Sequence, residues 1–289
     1  MNEAQGGGAI PPARRPRGNF ELRVISGLIL AAIVLGITWF GGLPFRLMAA
    51  AIGAAIFYEW ACMAGRGGSA ANRNLAIALL AVSLGAVAAG LPALWAIGIT
   101  LLAVIAGMAG GAMLGQGSTL AVGVGYASLP MLALALLRGD GAAGMVAILF
   151  LFAVVWATDI FAYFAGRRFG GPKLAPRVSP SKTWSGAAGG ALAAAAAGWA
   201  VLYFADVRLG PGTEALLSLA LSAVAQLGDL FESGVKRRFD IKDSGRMIPG
   251  HGGMMDRVDG LVAAALALYL ISAIFGGSLD YPAESLFAL

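Results

Sequence analysis

Five acidic side chains stand in or beside apolar segments of this 289-residue chain: Glu59, Asp159, Asp229, Asp256 and Asp259. An ionisable group inside a bilayer is costly to bury, so it marks chemistry more often than packing. Asp256 and Asp259 are three residues apart, a spacing that puts both carboxylates on one face of a helix. With Asp229 from another segment they offer hard oxygens suited to Mg²⁺, which takes one or two carboxylates and fills its shell with water and substrate phosphates. The competing reading is local, with Asp256 capping the helix that it begins and Asp259 pairing with Arg257.

Two polar blocks accompany these acids. The block from Ser233 to Asp259 carries Lys236, Arg237, Lys242, Asp243 and the chain's single histidine, His251. The cations would counter a polyphosphate, or they could anchor a helix end at anionic lipid headgroups. Gly250, Gly252 and Gly253 let backbone amides approach an anion closely, and the helix N-terminus that follows favours negative charge. His251 could donate to a phosphate oxygen or protonate a leaving group, or be a structural, hydrogen-bonded residue. Asp243 could organise its loop by pairing with a cation. A second block, from Gly166, holds Arg167, Lys173, Ser179, Ser181, Lys182 and Thr183 just before an apolar segment. Hydroxyls and a lysine there suit a phosphate, and Ser181 or Thr183 equally suits a helix N-cap.

The elements that must position these residues are membrane helices. The chain is 59% hydrophobic and 12% charged, with mean hydropathy +0.81, against about 25% charged residues in an ordinary soluble domain. That composition excludes a soluble globular protein. The fold class expected is all-α and polytopic, with nine spans near 22–40, 44–64, 75–90, 92–113, 119–137, 143–165, 183–206, 214–231 and 257–275. The third is short and is split from the fourth only by Gly90, Leu91 and Pro92. With a cytoplasmic N-terminus, nine spans leave only Arg46, Arg138 and Arg208 outside, so 17 of the 20 Lys and Arg lie inside, as the positive-inside rule asks. The net charge of +5 therefore reports topology, and no nucleic acid is expected as a partner. Residues 1–18 form a basic, disordered arm before an uncleaved anchor, and 19–289 form one membrane domain whose catalytic region is 159–260. Gly107, Gly111 and Gly115, and likewise Gly186 and Gly190, recur at the four-residue spacing of close helix contacts. Cys62 has no disulfide or zinc-site partner and is expected to be a small core residue.

The run Ser233, Val235, Lys236, Arg237, Lys242, Asp243, Gly245, Ile248, Pro249, His251, Gly252, Gly253, Met254, Asp256, Arg257, Val258, Asp259 closely resembles the signature of the phosphatidate cytidylyltransferases, the CDP-diacylglycerol synthases. The stretch with Asp159, Ala162, Tyr163, Gly166, Arg167, Ser179, Pro180, Lys182, Thr183 and Gly186 is similar to a second region of that family. The resemblance covers the C-terminal part of the chain, from about Asp159. It implies conversion of CTP and phosphatidic acid to CDP-diacylglycerol and pyrophosphate, with Mg²⁺ and room for a second cation. It also implies an enzyme among membrane lipids, expected in the bacterial inner membrane with its site facing the cytoplasm; a homodimer is compatible with it. Asp229, Asp256 and Asp259 are then expected as metal ligands. Asp229, Asp256, Lys236, Lys242, Asp243 and His251 are expected to act in catalysis, and Ser179, Ser181, Lys182, Arg237, Gly252, Gly253, Arg257, Asp159 and Arg167 to bind substrate.

Other readings are a CTP-dependent lipid kinase, a CDP-alcohol phosphotransferase and a transporter. The longer acidic pattern of the phosphotransferases is absent from the sequence. The acids gather at one membrane face, whereas a transporter would hold them near the midplane.

Overall fold

A bilayer offers the backbone no hydrogen bonds, so a chain this apolar folds as helices that satisfy their own amides. The computed structural model describes residues 18–64, 68–245, 247 and 252–288. Its helices are α1 (Gly18–Phe40), α2 (Gly42–Ala64), α3 (Ala70–Ala89), α4 (Ala93–Met113), α5 (Thr119–Arg138), α6 (Ala142–Phe169), α7 (Trp184–Phe204), α8 (Pro211–Arg238), α9 (Met255–Gly276) and the short α10 (Ala283–Leu286). Between α6 and α7 lie two strands, β1 (Lys173–Ala175) and β2 (Ser179–Thr183). Among the described residues, the eight helices α2 to α9 are long and apolar enough to cross a membrane. The apolar part of α1 with described side chains, Ser26–Phe40, is shorter.

Several element ends differ from the hydropathy pattern. The third helix is full length because the Ser69 hydroxyl accepts the Asn72 amide at 3.1 Å and so caps α3 ahead of its polar first turn. Gly90, at φ 65°, then closes α3 and leaves α4 a separate helix. α6 and α8 each run to 28 residues and end in Arg167 and Arg168, and in Lys236, Arg237 and Arg238. Cations suit a helix C-terminus, so the helix continues where hydropathy falls away. The stretch after α6 forms an antiparallel hairpin that pairs Lys173 with Thr183 and Ala175 with Ser179, where a plain loop was expected.

Small residues let the helices meet. A Cβ on Gly186 or Gly190 would lie 2.7 Å from the Ala162 or Thr158 carbonyl oxygen, so α6 and α7 touch backbone to backbone. Gly115 departs from this expectation, since it follows α4 at φ 65° with no neighbour close to its Cβ position. Thr158 Oγ1 donates to Ser222 Oγ at 2.8 Å and joins α6 to α8 inside the core. Large side chains such as Ile56, Met131, Phe150, Leu221 and Leu268 are fully buried. Leu102, Leu192 and Ile274 point outward, as lipid-facing residues do. Cys62 also lies exposed on α2 and not in the core; an outward position on a membrane helix is itself an apolar environment.

The two ends of the bundle differ in charge. The C-terminal ends of α2, α6 and α8 and the N-terminal end of α9 gather with the β-hairpin, and with them most of the described cations. At the opposite end the buried Arg138 donates to the Thr38 carbonyl at 2.7 Å and the Trp39 carbonyl at 3.1 Å, capping α1 and binding it to α5.

Candidate active site

The continuation of α8 past residue 231 puts Asp229, Glu232, Ser233 and Lys236 at helical spacings of three and four, on one face. Lys236 Nζ lies 2.5 Å from Asp256 Oδ1 on α9 and 3.4 Å from Glu232 Oε1. Asp256 Oδ2 accepts the Ser244 amide at 3.0 Å and the Gly253 amide at 3.3 Å. Lys182, at the end of β2, pairs with Asp229, whose Oδ1 also accepts from Ser233 Oγ at 3.4 Å. Two Asp–Lys pairs, drawn from β2, α8 and α9, therefore stand side by side.

Two adjoining cavities open on these pairs, and Asp256 and Arg257 line both. The smaller, about 280 Å³, is walled by Ser179, Lys236, Arg237, Lys242, Asp243 and Gly252. The larger, about 710 Å³, holds Asp159, Arg167, Ser181, Lys182, Asp229 and Asp259. A third recess of about 450 Å³ runs between α5, α8 and α9, lined by apolar groups such as Leu129, Leu227, Phe231 and Leu266. Its one acidic residue is Asp259, which belongs to the larger cavity as well.

Nearly every residue expected from the sequence thus reaches one place. Thr183, not Ser181, caps α7, its hydroxyl accepting the Gly186 amide at 3.1 Å, which leaves Ser181 exposed on the cavity wall. Arg237 donates to the Val178 carbonyl at 3.5 Å and joins α8 to the hairpin, while Arg167 donates to Tyr163 Oη at 2.9 Å. Lys242 and Asp243 are exposed at the rim, and Asp243 makes no ion pair among the described residues. His251 lies outside the described residues.

Gly253 does not line either cavity. It approaches an anion, as the glycine pattern suggested, but that anion is Glu59 of α2: a Cβ on Gly253 would sit 2.6 Å from Glu59 Oε2, and one on Gly245 would sit 2.5 Å from Oε1. The fully buried Glu59 carboxylate accepts the Ser244 hydroxyl and the Met254 and Met255 amides, each at 2.9 Å. Sequence reasoning left this role open and missed Glu232 altogether. The 229, 232, 236 spacing would have revealed Glu232 had α8 been extended through its basic end.

Among the described residues no three His, Cys, Asp or Glu side chains form a ready metal cage. Lysine ammonium groups stand beside Asp229 and Asp256. Glu232, however, is wholly buried, with Lys236 Nζ 3.4 Å from its Oε1, and it lies against Asp259. Carboxyl groups in contact either share a proton or take up added positive charge. These oxygens fit a hard divalent ion that draws one or two ligands from protein and the rest from water and phosphate.

The chain is similar to known proteins over most of its length. Residues 21–275 match the cytidylyltransferase family. The chain is 48% identical over 277 residues to the phosphatidate cytidylyltransferase of Brucella suis biovar 1 (strain 1330), covering 93% of this chain and 99% of that one. It is 49% identical over 264 residues to the enzyme of the same name from Brucella abortus biovar 1 (strain 9-941), covering 89% and 94%. A phosphatidate cytidylyltransferase from Haemophilus influenzae is 45% identical over 125 residues, covering 42% and 43%. The chain belongs to the cytidylyltransferase family.

Proposed function

We propose that this protein transfers the cytidylyl group of CTP to phosphatidic acid, yielding CDP-diacylglycerol and pyrophosphate. The observation that carries this reading is the meeting, at Asp259, of a charged cavity and an apolar recess. A substrate with a phosphate head and acyl chains needs both, and a nucleotide alone needs only the first. The relatives' shared name supports the same reaction.

A phosphate oxygen of phosphatidic acid attacks the α-phosphorus of CTP. The new P–O bond forms as the bond from that phosphorus to the β-phosphate bridging oxygen breaks, and pyrophosphate departs with the electron pair. A phosphomonoester is already largely ionised at neutral pH, with a second pKa of about 6, so no protein base is needed. Alignment and charge neutralisation are the catalytic demands. In this reading Lys182 and Arg167 hold the lipid phosphate, while Lys236, Arg237 and Lys242 face the β- and γ-phosphates. Asp229 and Asp256 fix the two lysines and, with Asp259, would supply oxygens for Mg²⁺. Bound Mg²⁺ would neutralise phosphate charge and stabilise the leaving group. The acyl chains lie along the recess between α5, α8 and α9. The basic end of the bundle faces the cytoplasm, where CTP is found, in keeping with the positive-inside rule.

Pyrophosphate release from the purified protein should require CTP and phosphatidic acid together, with Mg²⁺ present. Equal release from CTP alone would contradict the reading.

A further inference from the structure

Glu59 touches neither cavity, yet this buried acid holds part of the site in place. Its helix, α2, is fixed to α5 by the Trp60 indole, which donates to the Thr119 carbonyl at 2.9 Å and packs against the Tyr126 ring at 5.2 Å. From that rigid support one carboxylate joins the segment that follows α8 to the start of α9. Ser244, six residues past α8, donates its hydroxyl to Glu59 Oε2 and its amide to Asp256 Oδ2. Met254, just before α9, and Met255, its first residue, donate their amides to Oε1 and Oε2. Gly245 and Gly253 leave room for the carboxylate in between. Glu59 of α2 thus holds Ser244, whose amide binds Asp256, together with the start of α9.

We propose that Glu59 is a positioning residue for the nucleotide side of the site; this rests on the functional reading above. It acts through Ser244, Gly253 and Asp256 on the smaller cavity, where Lys236, Lys242 and Gly252 also stand. Asp159, Arg167 and Lys182, on the far wall of the larger cavity, have no bond to Glu59. The two substrates should therefore respond differently. Glutamine keeps the size of Glu59 but has one acceptor oxygen, so an NH₂ group must face Met254 N–H or the Ser244 and Met255 donors.

The test is Glu59→Gln in the purified full-length protein. Hydrogen bonds to a charged acceptor contribute enough that the KM for CTP should rise about tenfold, while the KM for phosphatidic acid should stay within about twofold. A purely structural role would reduce the amount of active protein and leave both KM values unchanged. Amide exchange read without substrate should quicken in peptides containing Ser244, Met254 and Met255 and stay constant in those containing Lys173 to Thr183. Ser244→Ala, which keeps the carboxylate and both backbone bonds, should raise the CTP KM in the same direction by about threefold. It decides the matter if Glu59→Gln does not fold. An unchanged CTP KM with unchanged exchange overturns the proposal. A wild-type protein that makes no CDP-diacylglycerol overturns the functional reading instead, and the exchange result still judges the positioning role.

Discussion

Asp256→Asn should lower kcat/KM by about a thousandfold while leaving the protein folded, because the change removes a charge at the crossing point of the site without removing its bulk. Asp256 lines both cavities, binds Lys236 at 2.5 Å and accepts the Ser244 and Gly253 amides. Asparagine keeps one oxygen for those amides, so the start of α9 should survive. It cannot neutralise Lys236, which then has only Glu232 as an ion-pair partner among the described residues. If Asp256 also ligates Mg²⁺, the metal concentration for half-maximal rate rises as well. Near-normal Mg²⁺-dependent turnover in steady-state assays of the folded variant would remove Asp256 from the mechanism.

Asp229→Asn should have the next largest effect, a fall in kcat of about a hundredfold or more, since it frees Lys182 and takes away a candidate metal oxygen together. Residues that act as a unit lose activity non-additively. The double variant Asp229→Asn, Lys182→Ala should therefore fall no more than about threefold below the worse of the single variants. Losses that multiply would mean that Asp229 and Lys182 act independently. Either carboxamide variant should elute and melt like wild type, which separates these effects from misfolding.

Much of the architecture was legible because hydrocarbon restricts the backbone to helices, and runs of apolar residues mark them directly. Their ends were less legible. A hydropathy minimum at Lys236 to Arg238 looks like a loop, yet cations at a helix C-terminus extend α8 and bring Glu232 and Lys236 into phase with Asp229. The β-hairpin escaped notice for a different reason. Its strands have three and five residues and carry lysine, serine and proline, not the branched and aromatic residues that announce a sheet.

The site residues were readable as types and spacings, and the fold brings Asp159, Lys182, Asp229, Asp256 and Asp259 around one cavity. Their pairings were not readable. Lys182 to Asp229 and Lys236 to Asp256 join elements whose relative placement no local pattern fixes. Glu59 is the clearest case, since it lies 185 positions from Ser244. The glycines around position 253 read as a cradle for a bound anion, and only the packed helices reveal that a side chain of the same protein, Glu59, lies against Gly253.

The central claim, transfer of a cytidylyl group to a lipid phosphate, is tested most directly with CTP labelled separately in the cytosine ring and at the γ-phosphate. Purified protein, phosphatidic acid in detergent and Mg²⁺ are combined, and the lipid is extracted. The account predicts the cytosine label in the lipid and the γ-phosphate label in soluble pyrophosphate. Gamma-phosphate label in the lipid without cytosine would identify a kinase and contradict it.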